Sequence, residues 1–303
     1  MSESRYTVAK ARAFAARVVD RASWYSGGAI QQARIAVRSA IAAAGLPLAK
    51  EYLELQCAKG NEASGLFSEF CAVIGCLDHF ERHRTIYEGL RVDFGRDGLY
   101  YEAASGWNWW EYYFEPIQIG DASGARITAV PLWQHDYFAE RVEQRVPRDH
   151  AAELLARYIR VKPDIHAAVN AYCAEYLTGD TIGIHYRGTD KSEESPVVPY
   201  GRVAEALRAV PDDARIFVAT DEQAFLDYVM QAYPGRVIFR PMYRSQDRTP
   251  LHKSPGHGRA GGRDAVIDCL ILARCNRLIR TASNLGLVAG WFKPHMPIEV
   301  VRA

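Results

Sequence analysis

The sequence predicts an α/β protein with two units, each built around a parallel sheet, and three observations lead to this fold class. Apolar runs typical of strands alternate with helical patterns over residues 51–94. The same alternation returns, more regularly, from residue 181 to the end of the chain. The 303 residues are enough for one large domain or for two of about 150 residues each. We therefore expect two α/β domains with helices packed on their sheets.

The first half of the chain begins with an Ala-rich helical pattern over residues 9–45 and continues into a βαβ unit. Two parallel strands in succession need a crossover, which the helical pattern between them provides. The turn-rich run KGNEASG connects the first strand to that helix. The elements predicted after the first helix are a strand at 51–57, a helix at 67–84 and strands at 89–94 and 127–133.

The second half is more regular. Two helical patterns at 148–160 and 164–177 precede it, and Pro163 separates them because proline ends or begins a helix. We place the domain boundary near residue 178, which gives an N-terminal α/β domain of residues 1–178 and a C-terminal Rossmann-like domain of residues 179–303. The strands predicted in the second domain are 181–186, 215–220, 236–240, 277–281 and 297–301. The helices predicted between them are 200–209, 222–233, 264–275 and 284–292.

The composition excludes one broad class of function. Thirty-seven Lys and Arg oppose 36 Asp and Glu, which gives a formal net charge of +1. A general nucleic-acid binder needs a strong basic excess, so we expect no nucleic-acid partner. No apolar run of about 18 residues is present, and no apolar segment follows Met1. The six cysteines form no CxxC pair, which favours reduced thiols and a cytoplasmic location.

The arginines of the first helical pattern leave two interpretations open. Five of them lie along residues 12–38 of an amphipathic segment. A basic amphipathic helix can lie on an anionic membrane surface, which would make the protein peripheral to the membrane. The alternative is a solvated helical face with no partner.

The strongest functional signal is the run IGIHYRGTDK at residues 182–191, where an apolar strand leads directly into polar residues. Open α/β sheets bind their ligands at the carboxyl ends of the strands. We therefore expect His185, Arg187, Asp190 and Lys191 at a ligand site. Arg187 suits a phosphate, because a guanidinium directs two N–H donors at two oxygens and keeps its charge.

Two later segments carry polar groups in similar positions. Asp221 follows a strand and precedes a helix, so its default role is a helix N-cap, and a ligand contact can coexist with that role at a sheet edge. A partly buried carboxylate such as Asp268 can accept two hydrogen bonds from the adjacent N–H groups of guanine, a pair that uracil does not offer. Thr281, Ser283 and Asn284 lie where a strand opens into a helix, and such N-termini bind anions. Capping alone would also explain Ser283.

Several common catalytic signatures are absent from the sequence. No two aspartates are separated by one residue, so there is no DxD motif to hold a metal on a nucleotide sugar. The phosphate loop GxxxxGK[ST], the GxSxG elbow and HExxH are also missing. The run GHGRAG at residues 256–261 matches GxGxxG by letter. No strand leads into it, so we expect loop glycines there.

Residues 241–263 form one long segment without periodicity. A stretch of this length inside a domain is usually functional or disordered. From Arg236 to Arg263 the chain carries seven basic residues against Asp247 alone, a local charge of seven minus one, or +6. We expect this segment to close as a lid over a small dianionic ligand, with Arg263 among the residues that bind it. The aromatic residues Trp107, Trp109, Trp110 and Tyr113 suit either the stacking of sugar rings or the packing of a core.

The run IGIHYRGTDK resembles the first motif of the α-1,6-fucosyltransferases and of the wider fucosyltransferase superfamily, usually written HVRRTDK. FVATDE is similar to the second motif, and Asp268 with the run from Thr281 to Asn284 is similar to the third. The three motifs occur in family order over residues 180–292. In the first half, residues 64–81 are similar to the family's first glycine-containing loop and helix. The resemblance implies a GT-B fold, in which two Rossmann-like domains face each other across a cleft and the acceptor binds on the N-terminal side.

The resemblance also implies a metal-independent, inverting transfer of fucose from GDP-fucose, with no cofactor. The partners would be this nucleotide sugar and a saccharide acceptor such as a glycan or a glycolipid intermediate. By motif position, Arg187 would stabilise the leaving β-phosphate, and Lys191 would lie near the acceptor hydroxyl. His185 and Asp268 would contact guanosine. The diphosphate would be surrounded by Thr281, Ser283 and Asn284. The other substrate-binding residues that we expect are Asp190, Asp221 and Arg263.

Two positions depart from the family pattern. Gly188 stands where the family has its second Arg, which removes one cationic contact. Ser195 stands where the family has its catalytic Glu, and the neighbouring Glu194 is our preferred candidate for the general base. Two alternatives therefore stay open: a GT-B transferase that uses another nucleotide sugar, and a non-catalytic nucleotide-sugar-binding module.

Overall fold

The computed structural model describes residues 29–49, 51–57, 64–96, 98–123, 125–131, 143–189, 197–249 and 258–303. Within these residues the chain forms one four-stranded sheet in its first half and one five-stranded sheet in its second half. Strands and helices alternate in both halves, which confirms the predicted α/β class.

The first half contains a mostly parallel sheet. Its helices and strands are α1 (Ala29–Ala43), β1 (Glu51–Gln56), α2 (Leu66–Arg82), β2 (Gly89–Val92), β3 (Gln118–Ile119) and β4 (Arg126–Pro131). Two short 3₁₀ helices, Ala103–Ser105 and Trp109–Tyr112, lie between β2 and β3. The strand order is β3-β2-β1-β4, and only β3 is antiparallel to its neighbour. Helix α2 is the crossover between β1 and β2, and it buries Phe70, Ile74 and Leu77 at helical spacing.

Two helices, α3 (Arg148–Tyr158) and α4 (Pro163–Tyr176), lead into the second sheet. Pro163 is the first residue of α4, where its missing N–H costs no hydrogen bond. The remaining elements are β5 (Thr181–Tyr186), α5 (Tyr200–Leu207), β6 (Arg215–Thr220), α6 (Gln223–Ala232), β7 (Val237–Ile238), α7 (Gly258–Leu272), β8 (Arg277–Arg280), α8 (Asn284–Phe292) and β9 (Ile298–Val300).

The second sheet is parallel throughout, with the order β7-β6-β5-β8-β9. The chain runs outward from β5 to β7 and then crosses to β8 on the other side of β5. The carboxyl ends of β5 and β8 therefore flank the topological switch point, where doubly wound sheets bind their ligands. On one face of this sheet, Ile182, Ile184 and Tyr186 of β5 pack with α5 and α6. On the other face, a larger core joins α7 and α8 to the first half of the chain.

The two halves are also joined through α3. The guanidinium of Arg148 donates to the carbonyl oxygens of Gly290, Lys293 and Met296 at 3.1, 2.8 and 2.8 Å. A cation at this position suits the C-terminal end of α8, because carbonyl groups without partners carry the negative end of the helix dipole. Helix α3, which lies before residue 178, thus already contacts the second unit. The domain boundary near residue 178 remains a prediction.

Each of the eight predicted strands corresponds to a strand of the structure. The antiparallel strand β3 was not predicted, because two residues are too short to show a period. Helix α7 begins at Gly258 instead of residue 264, so the interpretation of Gly258 and Gly261 as loop glycines is wrong. A Cβ on the neighbouring Gly262 would collide with Tyr113 Oη, so glycine lets this helix pack closely on the aromatic segment.

The first predicted helix is described only in its second part, α1, and residues 1–28 lie outside the described residues. The membrane-surface interpretation of its arginines therefore remains a prediction. In the part of the chain that the structure describes, no helix combines the length and the apolarity needed to cross a membrane.

Candidate active site

Two parallel strands end side by side at the switch point of the second sheet. His185 lies near the end of β5 and is buried. Its Nδ1 is 2.8 Å from the Oγ of Ser283, which follows β8. Ser283 is also the N-cap of α8, because its Oγ accepts the N–H of Gly286 at 3.1 Å. Since that oxygen accepts one bond, its own proton can go to Nδ1, and this arrangement leaves Nε2 as the ring's donor. Ser283 thus caps α8 and contacts His185 at the same time, and its role toward a ligand remains a prediction.

Arg187, the residue that follows β5, is held by the residue that follows the neighbouring strand β8. The N–H of Arg187 donates to Thr281 Oγ1 at 3.1 Å, and the N–H of Thr281 donates to the carbonyl of His185 at 3.0 Å. Asn284, the first residue of α8, donates from Nδ2 to the Oγ of Ser68 at 2.8 Å. This last bond joins α8 to the first turn of α2 in the first half. The residues predicted around a diphosphate therefore meet at the N-terminus of α8, where free N–H groups favour an anion.

Asp221 organises the loop that carries Arg187. Its Oδ1 accepts the N–H of Gly188 at 2.9 Å, and its Oδ2 accepts the hydroxyl of Thr189 at 2.6 Å. The same Oδ2 lies 3.0 Å from Nη1 of Arg187. The N-cap of α6 is Glu222, so the N-cap interpretation of Asp221 is wrong. The physical reason is that the N–H of Gly188 lies beyond the end of β5 and has no strand to pair with, so the buried carboxylate of Asp221 accepts it instead.

The departure from the family pattern at Gly188 has a local cause. A Cβ at this position would collide with Oε2 of Glu222 and would lie 2.8 Å from Cε1 of Tyr186. Neither neighbour can move easily, because both side chains are buried. An arginine at position 188, as in the family motif, would therefore have its Cβ where the carboxylate of Glu222 lies.

Asp268 lies buried on α7 and has an arginine as its partner. Its Oδ1 accepts from Nη1 of Arg240 at 3.1 Å, and Nη2 of the same arginine donates to Oδ1 of Asp264 at 2.6 Å. Burial raises the pKa of Asp268 to about 6, against the opposing effect of Arg240 and Arg244. Sequence reasoning missed Arg240, because a partner 28 residues away leaves no local signal.

The basic segment before Asp268 is largely paired in space. Arg263, predicted to bind substrate, lies 3.2 Å from Oδ2 of Asp164 on α4. Arg259 lies 3.2 Å from Oε2 of Glu102 in the first half. The local charge of +6 is thus offset by carboxylates that are distant in sequence. Residues 250–257 lie outside the described residues, so the lid remains a prediction.

The aromatic segment separates into core and surface. Trp109, Trp110 and Tyr113 are each 1% exposed, which confirms the core interpretation for them. Trp107 is 55% exposed, and its Nε1 donates to Oδ1 of Asp93 at 3.2 Å. Of these four rings, only Trp107 is exposed, and the guanidinium of Arg96 lies over one face of it, 4.6 Å from the ring centroid.

Three predicted site residues, Asp190, Lys191 and Glu194, lie outside the described residues, and their roles remain predictions. Two residues that the sequence did not single out lie directly beside the motif. Glu222 is buried next to Gly188, and Arg248 binds it at 2.7 Å. The only signal available for them was the pair of consecutive acidic residues at the end of β6.

Comparison with known proteins gives two kinds of similarity. The chain matches no protein-family model. It is 28% identical over 181 residues to Nodulation protein Z of Bradyrhizobium diazoefficiens, which covers 55% of this chain and 45% of the relative. It is also 28% identical over 139 residues to Nodulation protein Z of Sinorhizobium fredii, covering 41% of this chain and 43% of the relative. The chain thus spans less than half the length of these curated relatives.

Two solved structures share the fold. The NodZ α-1,6-fucosyltransferase co-crystallised with GDP has a TM-score of 0.52 at 16% identity and covers 83% of this chain and 94% of that chain. The NodZ α-1,6-fucosyltransferase soaked with GDP-fucose has a TM-score of 0.52 at 18% identity, with 82% and 94% covered. These similarities confirm the GT-B fold that the three motifs predict.

Proposed function

We propose that the protein is a glycosyltransferase that moves fucose from GDP-fucose to a hydroxyl of a saccharide acceptor. The observation that carries this proposal is the position of Arg187. Asp221 and Thr281 hold it at the switch point, beside the N-terminus of α8. The similarity to NodZ structures obtained with GDP and GDP-fucose supports the choice of donor.

The chemistry of the leaving group explains why these parts belong together. When the bond between the sugar and the β-phosphate breaks, negative charge develops on GDP. Arg187 and the free N–H groups of α8 would stabilise that charge, and groups fixed in advance do so with little reorganisation. We propose that no divalent metal takes part, so that these groups carry the whole stabilisation.

The transfer itself would be a single displacement. The acceptor hydroxyl oxygen forms a bond to the anomeric carbon, and the bond from that carbon to the β-phosphate oxygen breaks with its electron pair going to GDP. The hydroxyl proton passes to a general base, for which Glu194 is our candidate, with Lys191 nearby. Attack from the side opposite the leaving group inverts the anomeric centre.

We assign the guanine base to Asp268. Its carboxylate would accept the two adjacent N–H bonds of guanine while Arg240 holds it from the other side. The acceptor would bind on the N-terminal side, with Trp107 as its exposed aromatic surface. The acceptor would be a glycan or a glycolipid intermediate. The protein itself would be cytoplasmic and would contact the membrane surface.

Calorimetric titration with GDP, UDP and CDP in the presence of EDTA tests the donor assignment. We expect GDP to bind most tightly, because only guanine offers the paired N–H groups. Equal binding of UDP would favour a transferase of another nucleotide sugar. Incubation with GDP-fucose then tests catalysis, since a transferase releases free fucose slowly without an acceptor. Binding without any release or transfer would favour the non-catalytic binding module.

Replacing Arg187 tests the mechanism directly. Arg187→Ala should lower the rate of fucose release or transfer by about 10²–10³, because one preorganised cation is lost from the leaving group. Arg202→Ala is a matched control, since Arg202 is an exposed arginine whose partner is Glu205 on the same helix. Unchanged turnover of Arg187→Ala would contradict the role given to Arg187.

A further inference from the structure

A second arginine lies beside the loop that carries Arg187. We propose that Arg248 binds the β-phosphate of the nucleotide, as the cation that stands in for the side chain missing at Gly188. This inference rests on the proposed function, and it adds to it a donor-binding residue from a segment that no motif covers.

The first step concerns the partner of Arg248. Nε of Arg248 lies 2.7 Å from Oε1 of Glu222. The side chain of Glu222 is only 3% exposed, and Oε2 of this carboxylate is buried without a hydrogen bond. A buried carboxylate in this state needs a close cation, because an unpaired charge in the interior is costly. Arg248 is therefore held firmly in place although more than half of its own side chain is exposed.

The second step concerns the backbone that delivers Arg248. Its φ is +65°, a left-handed conformation that residues other than glycine rarely adopt. Oδ1 of Asp247 accepts from Ser245 Oγ at 3.1 Å and from the N–H of Thr249 at 3.0 Å, and these bonds fix the turn. The N–H of Ser245 donates to the carbonyl of Asp221 at 2.8 Å. The turn is thus attached to the carboxyl end of β6, next to the proposed donor site.

The third step compares the two arginines. Asp221 and Glu222 are consecutive, buried carboxylates at the end of β6. The first pairs with Arg187 and the second with Arg248, whose side chains are 27% and 54% exposed. Gly188 lies between the pairs, because Asp221 accepts its N–H while Glu222 fills the position of its missing Cβ. Two fixed and exposed guanidinium groups therefore flank the same loop.

This arrangement has the chemistry of a diphosphate site. Two linked phosphates carry several negative charges and more acceptor oxygens than one guanidinium can serve. The ion pair of Arg248 with Glu222 uses Nε, and the Tyr200 hydroxyl forms one further bond with the Arg248 side chain. A guanidinium has five N–H donors, so terminal N–H groups are still left for a phosphate oxygen.

Titration of Arg248→Ala with GDP and with GMP tests the inference. Both nucleotides share guanosine and the α-phosphate, so a contact to the β-phosphate should raise the Kd of GDP about tenfold and leave that of GMP unchanged. The matched control is Arg236→Ala, because Arg236 is a partly exposed arginine that donates to the carbonyls of Ala214 and Pro211 at the amino ends of β6 and β7, on the opposite edge of the sheet from the proposed site. An unchanged Kd of GDP in Arg248→Ala would overturn the inference.

A purely structural role needs a separate test, because Arg248→Ala leaves the Glu222 charge unpaired. In the double variant Arg248→Ala with Glu222→Gln, that charge is removed and the midpoint of thermal unfolding should recover. The affinity for GDP should stay low. Recovery of both would mean that Arg248 acts only through Glu222, which overturns the inference. If the unmodified protein binds no GDP, the proposed function fails first, whereas GDP binding that ignores Arg248 overturns this inference alone.

Discussion

The two sheets end at their carboxyl edges in different chemical ways. The second sheet ends in polar side chains that bind one another across neighbouring strands, as His185 does with Ser283 and Asp221 with Arg187. The first sheet is followed by aromatic rings that pack together, as Trp109 does with Phe94 at 4.8 Å between centroids. One edge is therefore organised by charge and hydrogen bonds, and the other by apolar contact.

This difference indicates how the work is divided. A polar network of buried groups fixes exposed donors in one geometry, as a charged leaving group requires. An aromatic edge with most of its rings buried provides a rigid wall, and only Trp107 offers an exposed surface. The aromatic residues after the strands of the first sheet therefore contribute mainly to the core, whereas the polar residues after the strands of the second sheet form the edge to which we assign the reaction.

The largest expected effect lies in the aromatic edge. Trp110 stacks on Phe114 with 4.3 Å between centroids and is 1% exposed. Trp110→Ala should lower the free energy of unfolding by about 3–5 kcal/mol, because it leaves a large cavity. Urea denaturation measures this, and Trp107→Ala is the matched control with an expected loss of about 0.5–1 kcal/mol. Equal losses at the two positions would break the division into core and surface rings.

The next effect lies in the polar edge. Asp221→Asn keeps the size of the side chain but removes the charge that pairs with Arg187, and it leaves one oxygen in place of the two that accept from Gly188 and pair with Arg187. We expect turnover of GDP-fucose to fall about 10²-fold and the free energy of unfolding to fall by about 2 kcal/mol. Asp212→Asn is the control, because Asp212 is fully exposed and lies 3.8 Å from Arg236. A loss of stability without a loss of turnover would show that Asp221 serves the fold alone.

The comparison also explains what could be predicted from the sequence. The strands and most helices are local, so their periods are visible in a single chain, and the motifs at the ends of β5 and β8 were recognised as one site. The partners of that site were not. Arg240 pairs with Asp268, and Arg248 with Glu222, across 28 and 26 residues, so only folding brings them together. The sequence also leaves the burial of Trp109 and Trp110 open, because an aromatic run has no period that separates core from surface.

A smaller effect is expected at Gly188, between the two carboxylates. Gly188→Ala should lower the free energy of unfolding by about 1–3 kcal/mol, because the added methyl group collides with Glu222. It should also weaken GDP binding by moving the loop that carries Arg187. Gly201→Ala is the control: nothing lies within 4 Å of its added Cβ, and alanine in the first turn of helix α5 should stabilise the protein by about 0.5 kcal/mol. If Gly188→Ala were as stable as the unmodified protein, the packing explanation for this glycine would be wrong.

The smallest effect concerns the proton of Asp268, whose pKa burial raises to about 6. Guanine needs the ionised carboxylate, so the preference for GDP over UDP should fall about tenfold as the pH drops from 7 to 5. The ratio of the two Kd values is the measurement, because both ligands carry the same titrating phosphates. Asp268→Asn should lose this pH dependence, and a ratio that stays constant in the unmodified protein would contradict the guanine assignment.

The same proton acts on folding with the opposite sign. Because the pKa of Asp268 is higher in the folded chain than in the unfolded one, its contribution to stability is present at low pH and is lost as the pH rises through about 6. The binding of guanine favours the ionised carboxylate of Asp268, whereas folding without ligand favours the protonated form. It follows that saturating GDP should raise the midpoint of thermal unfolding more at pH 7 than at pH 5. UDP has no guanine base. The rise in the unfolding midpoint that UDP causes should therefore differ between pH 7 and pH 5 only through the titration of its phosphates.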